Sequence, residues 1–260
     1  MSKESIVIRE LRTPEEFRAT EEISKAAWRF SDRAVPPAAD LVAATRAGGL
    51  TAGAFARKQL VAFVHSIPRV NLGQPAQHSH LLAVQPSLQG LGISARLKFF
   101  QRSWCLERRI RLVTWTYDPF LLRNARLNVG RLRATVRGLV PNLYGPLGGI
   151  YGGLPTDRFE VTWRLDDPIV ELAARGEALP THAPEDDQVP VARPLSIPDA
   201  PRVALPFPAG APGIYRTDPA GSLRARKAFG KVARTLFDRG YEVTGLMMGE
   251  AGPAYLLDRR

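Results

Sequence analysis

Leu81-Leu-Ala-Val-Gln-Pro-Ser-Leu-Gln-Gly-Leu-Gly-Ile-Ser-Ala-Arg-Leu97 decides the fold. It reads as a buried strand, a break at Pro86, a glycine-rich turn and then a helix. Gln89, Gly90, Leu91, Gly92, Ile93 and Ser94 lie where strand gives way to helix. Such a turn gathers backbone N–H groups at the positive end of a helix dipole, which suits a phosphate. The two glycines let a ligand approach the backbone without interference from Cβ.

Working outward, Ile6–Leu11 alternates like a strand. Thr13-Pro14-Glu15-Glu16 reads as an N-cap, a proline at the first helical position and acids in the first turn. That helix is expected to run to Phe30, and a second from Pro37 to Arg46. Gly48-Gly49 opens a hairpin of Leu50–Ala56 and Leu60–Ile67. Pro68–Gln77 reads as a polar loop, and His78–Val84 as the next strand. A helix is expected from Gly92 to Arg109, with Ile93, Leu97, Phe100 and Trp104 on one face. Arg111–Thr116 reads as a strand, Pro119–Leu132 as a helix, and Ala134–Leu139 and Phe159–Leu165 as strands. The early antiparallel hairpin argues against a doubly wound dinucleotide-binding sheet. So does the lack of an acid placed to hold a ribose.

Residues 166–200 are rich in Pro, Ala and acids and read as a linker that begins with a short helix, Ile169–Arg175. Val203–Phe207 reads as a strand and Ser222–Arg239 as a helix ended by Gly240. Tyr241–Met248 and Ala254–Leu257 read as a terminal hairpin. The expected division is 1–165, 166–200 and 201–260, with the last part too short for a core of its own and packed on the first.

Hydrophobic residues make up 45% and charged residues 23%, the balance of a globular protein. No apolar run is long enough to span a membrane. No signal-peptide core follows Met1, and Cys105 is the only cysteine, so no internal disulfide can form. A cytoplasmic setting is the expectation. The net charge of +11 is uneven: residues 1–165 carry 24 Lys and Arg against 12 Asp and Glu, and residues 166–260 carry 12 against 13. The part with the glycine turn is therefore the basic part, which suits an anionic partner. Arg108-Arg109-Ile110-Arg111 and Arg131-Leu132-Arg133 are short and lack interleaved aromatics, which argues against nucleic acid.

The order of elements, Leu82-Ala83-Val84-Gln85-Pro86 and the turn Gln89–Ser94 together resemble the GNAT superfamily of acyl-CoA-dependent N-acyltransferases. Ser94 stands where the family has Gly or Ala. The resemblance covers residues 5–165. It implies an α+β fold: a mixed, mostly antiparallel twisted sheet flanked by helices, here with a small C-terminal α/β extension. Trp115–Ala125 and Tyr151–Phe159 look like a subgroup with such an extension, some of whose relatives acylate amino acids, including with succinyl-CoA.

The resemblance implies acetyl-CoA or another acyl-CoA as co-substrate, no metal, and a small-molecule amine as acceptor. It places the diphosphate on Gln89–Ser94, the pantetheine arm along Leu82, Ala83 and Val84, and Asn124 on that arm. The family often has a Tyr further along the same helix to protonate the departing thiolate. Here no Tyr is present, and Asn128 is the nearest candidate. The alternative is unaided departure, tolerable for a thiol. Direct transfer needs no nucleophilic cysteine, and no His, Cys and carboxylate cluster has zinc-like spacing.

His78 and His80 are two apart on the strand that would meet the thioester, so both face one side. They are candidate bases, with bulk water through ordered waters as the alternative. Asp118 either caps the helix at Pro119 or binds the acceptor's ammonium. Asp157 and Arg158 either form a loop salt bridge or grip an amino acid by its two charges. Trp28, on the helix that in this family borders the acceptor, is either core or acceptor wall. Tyr144 and Tyr151 bracket a glycine-rich loop that could close as a lid. The extension either covers the acceptor pocket or builds a homodimer. Two functional classes remain: an N-acyltransferase, or a non-catalytic acyl-CoA sensor or scaffold on the same fold.

Overall fold

A computed structural model describes residues 6–177, 189–208, 218–249 and 252–260. Residues 178–188 of the expected linker and the opening residues Met1–Ser5 lie outside the described residues. The chain forms two compact units. One comprises residues 1–115 with 164–166, the other residues 116–163 with 167–260. The boundary falls inside β5 (Leu112–Tyr117), within the span that the sequence assigned to a single domain.

In the first unit, α1 (Pro14–Trp28) begins as its sequence requires: the Thr13 side chain accepts from the Glu16 N–H at 3.4 Å, with Pro14 opening the first turn. Glu16 also takes a forked bond from Arg9 of β1 (Val7–Glu10), at 2.6 and 3.0 Å. That guanidinium holds the Glu16 carboxyl down at about 2. After α2 (Ala38–Arg46) come β2 (Leu50–Ala56), β3 (Gln59–Asn71) and β4 (Gln74–Val84), giving the antiparallel order β1-β2-β3-β4. Phe55, Phe63, Leu81 and Ala83 of the sheet pack on Phe17, Ile23 and Leu41 of the two helices.

The expected polar loop Pro68–Gln77 is instead an extension of the β3/β4 ribbon. Pro68 pairs with Gln77, Val70 with Pro75, and the turn sits at Leu72-Gly73. Residues 69–75 are exposed or half-buried, so nothing imposes an apolar alternation, and the prolines made the segment read as a break. Next come α3 (Ile93–Glu107) and β5, which runs parallel to β4. Leu165 closes this unit: its N–H bonds the Arg111 carbonyl, and its own carbonyl accepts from Arg102.

In the second unit the expected helix Pro119–Leu132 is broken into α4 (Leu122–Ala125) and a wide π turn at Arg126–Arg131. The Asp118 carboxylate accepts from the Phe120 N–H at 2.9 Å, which makes Pro119–Leu121 a turn rather than helix. β6 (Thr135–Val140) pairs with β7 (Arg158–Arg164) and touches β9 (Tyr241–Gly249) at Val136↔Val243. β9 pairs with β10 (Gly252–Arg259), which pairs with β8 (Arg202–Pro206). α5 (Pro168–Arg175) is capped by Asp167, and α6 (Pro219–Asp238) by Asp218. Phe159 gathers Tyr117, Phe229, Phe237 and Tyr255 around it at 5.2–5.9 Å. The C-terminal strands and α6 thus share a core with residues 116–163, which explains where the boundary falls.

Candidate active site

The glycine turn is open. Gly90 (φ +84°) and Gly92 (φ +78°) occupy the left-handed region, and a Cβ on either would meet nothing. Leu91 between them is 67% exposed, while buried Ile93 anchors the first turn of α3. The Gln89 amide donates to the Val84 carbonyl at 3.1 Å and fixes the turn to the end of β4. Gly92 caps α3 with no side-chain bond, and the first intrahelical bond runs from the Arg96 N–H to the Gly92 carbonyl. The N–H groups before Arg96 thus have no carbonyl ahead of them in the helix. From Leu41 to Leu106 the chain has no Asp or Glu, so no carboxylate on β2–β4, the turn or most of α3 competes for these donors.

Beside the turn the sheet forks. β4 and β5 pair at Gln77↔Val113 and His78↔Thr114, and no later pair is formed among the described residues. β4 continues to Val84, paired among the described residues to β3 alone. Leu82, Ala83 and Val84 therefore carry an unpaired edge of the kind an extended amide chain can join. A bulge opposite His65–Ser66 leaves His80 as the extra residue of β4, just past the last pair.

His78 and His80 face one side, their rings 6.4 Å apart. His78 Nδ1 lies 3.3 Å from Thr114 Oγ1. Burial, then His80, Arg69 and Lys98, push His78 down to about 4, and desolvation lowers His80 as well. Both imidazoles are thus neutral at physiological pH. They can accept a proton but are weaker bases than the unperturbed residue that the sequence suggested.

Two residues of this unit were not singled out from the sequence. His65 is buried, with Nδ1 2.8 Å from Thr51 Oγ1, which lies 2.7 Å from Thr45 Oγ1. Thr45 donates to the Leu41 carbonyl, so proton counting orients the chain: His65 Nδ1–H to Thr51, Thr51 to Thr45. Burial drives this imidazole to about 4. Lys98 of α3 is only 2% exposed, with Nζ 3.0 Å from Ser79 Oγ, 2.6 Å from Gln101 Oε1 and 3.8 Å from the Trp115 ring centroid. Burial brings it down to about 7. In the sequence Lys98 and Gln101 merely adjoin the apolar stripe of Ile93, Leu97 and Trp104; their burial is seen only in the packing.

Trp28 is half-buried against the α1/α2 core, its ring 5.6 Å from that of Phe30. Cys105 is fully buried, and burial pushes its thiol up to about 12, as befits a packing residue. Among the described residues no group of His, Cys, Asp and Glu could hold a metal, and no helix is long and apolar enough to cross a membrane.

The remaining expected residues belong to the second unit. Asn124 is half-buried on α4, and Asn128 is buried in the π turn with its carbonyl accepting from the Ala134 N–H. Asp118, a candidate for the acceptor's ammonium, is 1% exposed, and both its oxygens are bonded within the protein: one by Phe120 N–H, the other by Arg226 of α6 at 2.9 Å. Asp157 accepts from the Asn142 N–H, and no ion pair joins it to Arg158. Arg158 is 5% exposed. Its guanidinium lies 4.7 and 5.4 Å from the rings of Tyr151 and Tyr144, and it has no carboxylate partner among the described residues.

No family model matches the chain, and no curated protein does. Solved structures do. The chain is similar to the ribosomal-protein-S18-alanine N-acetyltransferase from Escherichia coli (TM-score 0.51, 16% identity, 63% of this chain and 96% of that one). It is similar to yncA from Salmonella typhimurium, solved with its cofactor acetyl-CoA (0.51, 18%, 62% and 95%). Ard1 from Thermoplasma volcanium is a third (0.50, 13%, 62% and 99%). The protein has the GNAT acetyltransferase fold: mixed α+β, with a mostly antiparallel sheet flanked by helices.

Proposed function

We propose that the protein is an acyl-CoA-dependent N-acyltransferase. It moves an acetyl or other short acyl group, succinyl among them, to a primary amine of a small molecule such as an amino acid. The observation that carries this reading is the open glycine turn at the head of α3, set beside the unpaired edge of β4. Gln89–Ser94 would hold the diphosphate through backbone N–H groups at the helix N-terminus. Leu82, Ala83 and Val84 would hold the pantetheine amides as an added strand, and their N–H groups would stabilise the oxyanion formed on attack. Asn124 would touch the arm, and Asn128 would stand near the leaving thiolate.

His78 or His80, neutral under working conditions, would pass the amine's proton to water. Trp28 would border the acceptor. Among the described residues Asp157 has one carboxylate oxygen left for an ammonium, and buried Arg158 has no carboxylate partner, which suits a substrate carboxylate. Asp118 is assigned no part in binding, because Arg226 and the Phe120 N–H satisfy it. Weakly basic histidines and the missing Tyr favour the second reading, an acyl-CoA sensor.

Calorimetry with acetyl- and succinyl-CoA, together with thiol release over a panel of amines, decides between the two. Micromolar binding with amine-dependent release is the expected result. Binding without release on any amine selects the sensor. Gly92→Glu should abolish binding, whereas Gly92→Ala, which bears the same left-handed strain without the charge, should retain most of it. Unchanged affinity in Gly92→Glu would refute the placement of the diphosphate.

A further inference from the structure

We propose that Lys98 is a positioning residue of the fork: lodged between Ser79 of β4 and Trp115 of β5, its ammonium group takes over where the ladder ends and holds the two strands apart for an acyl thioester. The proposal rests on the acyltransferase reading above. The last paired residues are His78 and Thr114. Ser79 and Trp115 are the next residues on each strand, and Nζ touches both, at 3.0 Å to Ser79 Oγ and 3.8 Å to the ring centroid. Gln101, one turn further along α3, supplies the third contact at 2.6 Å. The three N–H directions of an ammonium thus meet a hydroxyl, an amide oxygen and a π face.

Filling the fork does not require a charge. The buried stripe of α3 is otherwise largely apolar, and a Met of similar length would occupy the space without the desolvation cost of an ammonium. A charge kept in such a place has a use. With no carboxylate between Leu41 and Leu106, a positive charge behind β4 strengthens the field on an anionic cofactor and on an oxyanion formed at the strand edge. The groups facing Lys98 fit this role. His78 on β4 is lowered by it, with His80 and Arg69 acting in the same sense, and Cys105 on α3 holds its thiol proton. Burial brings the ammonium into the neutral range, takes His78 down to about 4 and lowers His80 as well. A titration near pH 7 at the fork that Lys98→Met removes is therefore the signature of Lys98.

The test compares wild type with Lys98→Met, Lys98→Arg and Ser79→Ala in affinity for acetyl-CoA, kcat/KM from pH 5.5 to 9.5, and tryptophan fluorescence against pH without cofactor. Trp115→Phe identifies the signal. In wild type, kcat/KM should carry an alkaline limb near neutrality as the ammonium is lost, opposing the rise from acceptor deprotonation. The fluorescence should titrate in the same range. Lys98→Met should weaken acetyl-CoA binding about tenfold, the scale of one hydrogen bond to a charged group, and lose both titrations. Lys98→Arg should restore most of the affinity and push the limb beyond the range. Ser79→Ala, which keeps the charge but removes an acceptor, should move the limb to lower pH, and it decides the matter should Lys98→Met not fold. A Lys98→Met protein with wild-type affinity and kcat/KM overturns the proposal, as does a limb that Ser79→Ala and Lys98→Arg leave in place. A wild type that neither binds nor consumes any acyl-CoA overturns instead the acyltransferase reading on which it rests.

Discussion

Two buried cations, Arg226 in the second unit and Lys98 in the first, are held in opposite ways. In the second unit Arg226 (3% exposed) meets the Asp118 carboxylate at 2.9 Å and lies over the Phe120 ring at 4.3 Å. In the first, Lys98 meets a serine hydroxyl, a glutamine amide oxygen and an indole face. An ion pair of this kind cancels much of its own field. An ammonium among neutral acceptors keeps its field, and with it the option of losing a proton. The second arrangement ties α6 to the end of β5; the first leaves an active electrostatic element at the fork.

Removing one partner of the ion pair gives the largest expected effect. Arg226→Met leaves the Asp118 carboxylate charged and dry, and should cost about 3–5 kcal/mol in urea unfolding. The pair Arg226→Met with Asp118→Asn should recover a large part of that loss, since no net charge then remains buried. A loss below about 1 kcal/mol for Arg226→Met would erase the contrast, because it would mean that water reaches the Asp118 carboxylate.

The second effect sharpens the contrast through pH. Lys98 titrates near 7 when folded and near 10.5 when unfolded, so between these values the unfolded chain holds more protons. Stability must then rise with pH across that window, and the penalty for the buried charge is present in full below pH 7. Relative to Lys98→Met, which lacks the term, wild type should gain roughly 2–3 kcal/mol between pH 7 and pH 9. Chemical denaturation at three pH values checks it. A parallel series on the Arg226→Met, Asp118→Asn double variant, which leaves Lys98 in place, is the control and should keep the wild-type slope.

Much of this was legible in the chain. The strand-turn-helix stretch from Leu81 to Leu97 carries both kinds of periodicity and two glycines at positions that need positive φ, so it places the turn and names the fold. Thr13-Pro14 and the terminal hairpin were equally plain, because local rules govern caps and hairpins. The ribbon at 68–77 was not, since prolines at an exposed strand end look like loop. The unit boundary and the Asp118–Arg226 pair were invisible for a different reason: they join residues 108 apart, and one sequence carries no record of such pairing. Lys98 shows a third kind of failure. A lysine beside an apolar stripe reads as solvated, and only packing shows that the stripe widens to enclose it.

The smallest effect concerns a third way of burying polar atoms in the first unit, with no charge at all. His65, Thr51 and Thr45 form a chain in which each proton has an acceptor and the last is the Leu41 carbonyl. Thr51→Val leaves the His65 N–H and a Thr45 lone pair without partners, and should cost about 1–2 kcal/mol, whereas Thr51→Ser should be close to neutral. The pH sense repeats that of Lys98 in a lower window. His65 titrates near 4 folded against 6.5 unfolded, so its share of stability is full above pH 6.5 and is lost as pH falls toward 4. Wild type should therefore lose more stability than His65→Gln on going from pH 6.5 to pH 5. Equal losses would mean that the imidazole takes up its proton in the folded protein as readily as in the unfolded chain, and that burial does not hold it neutral.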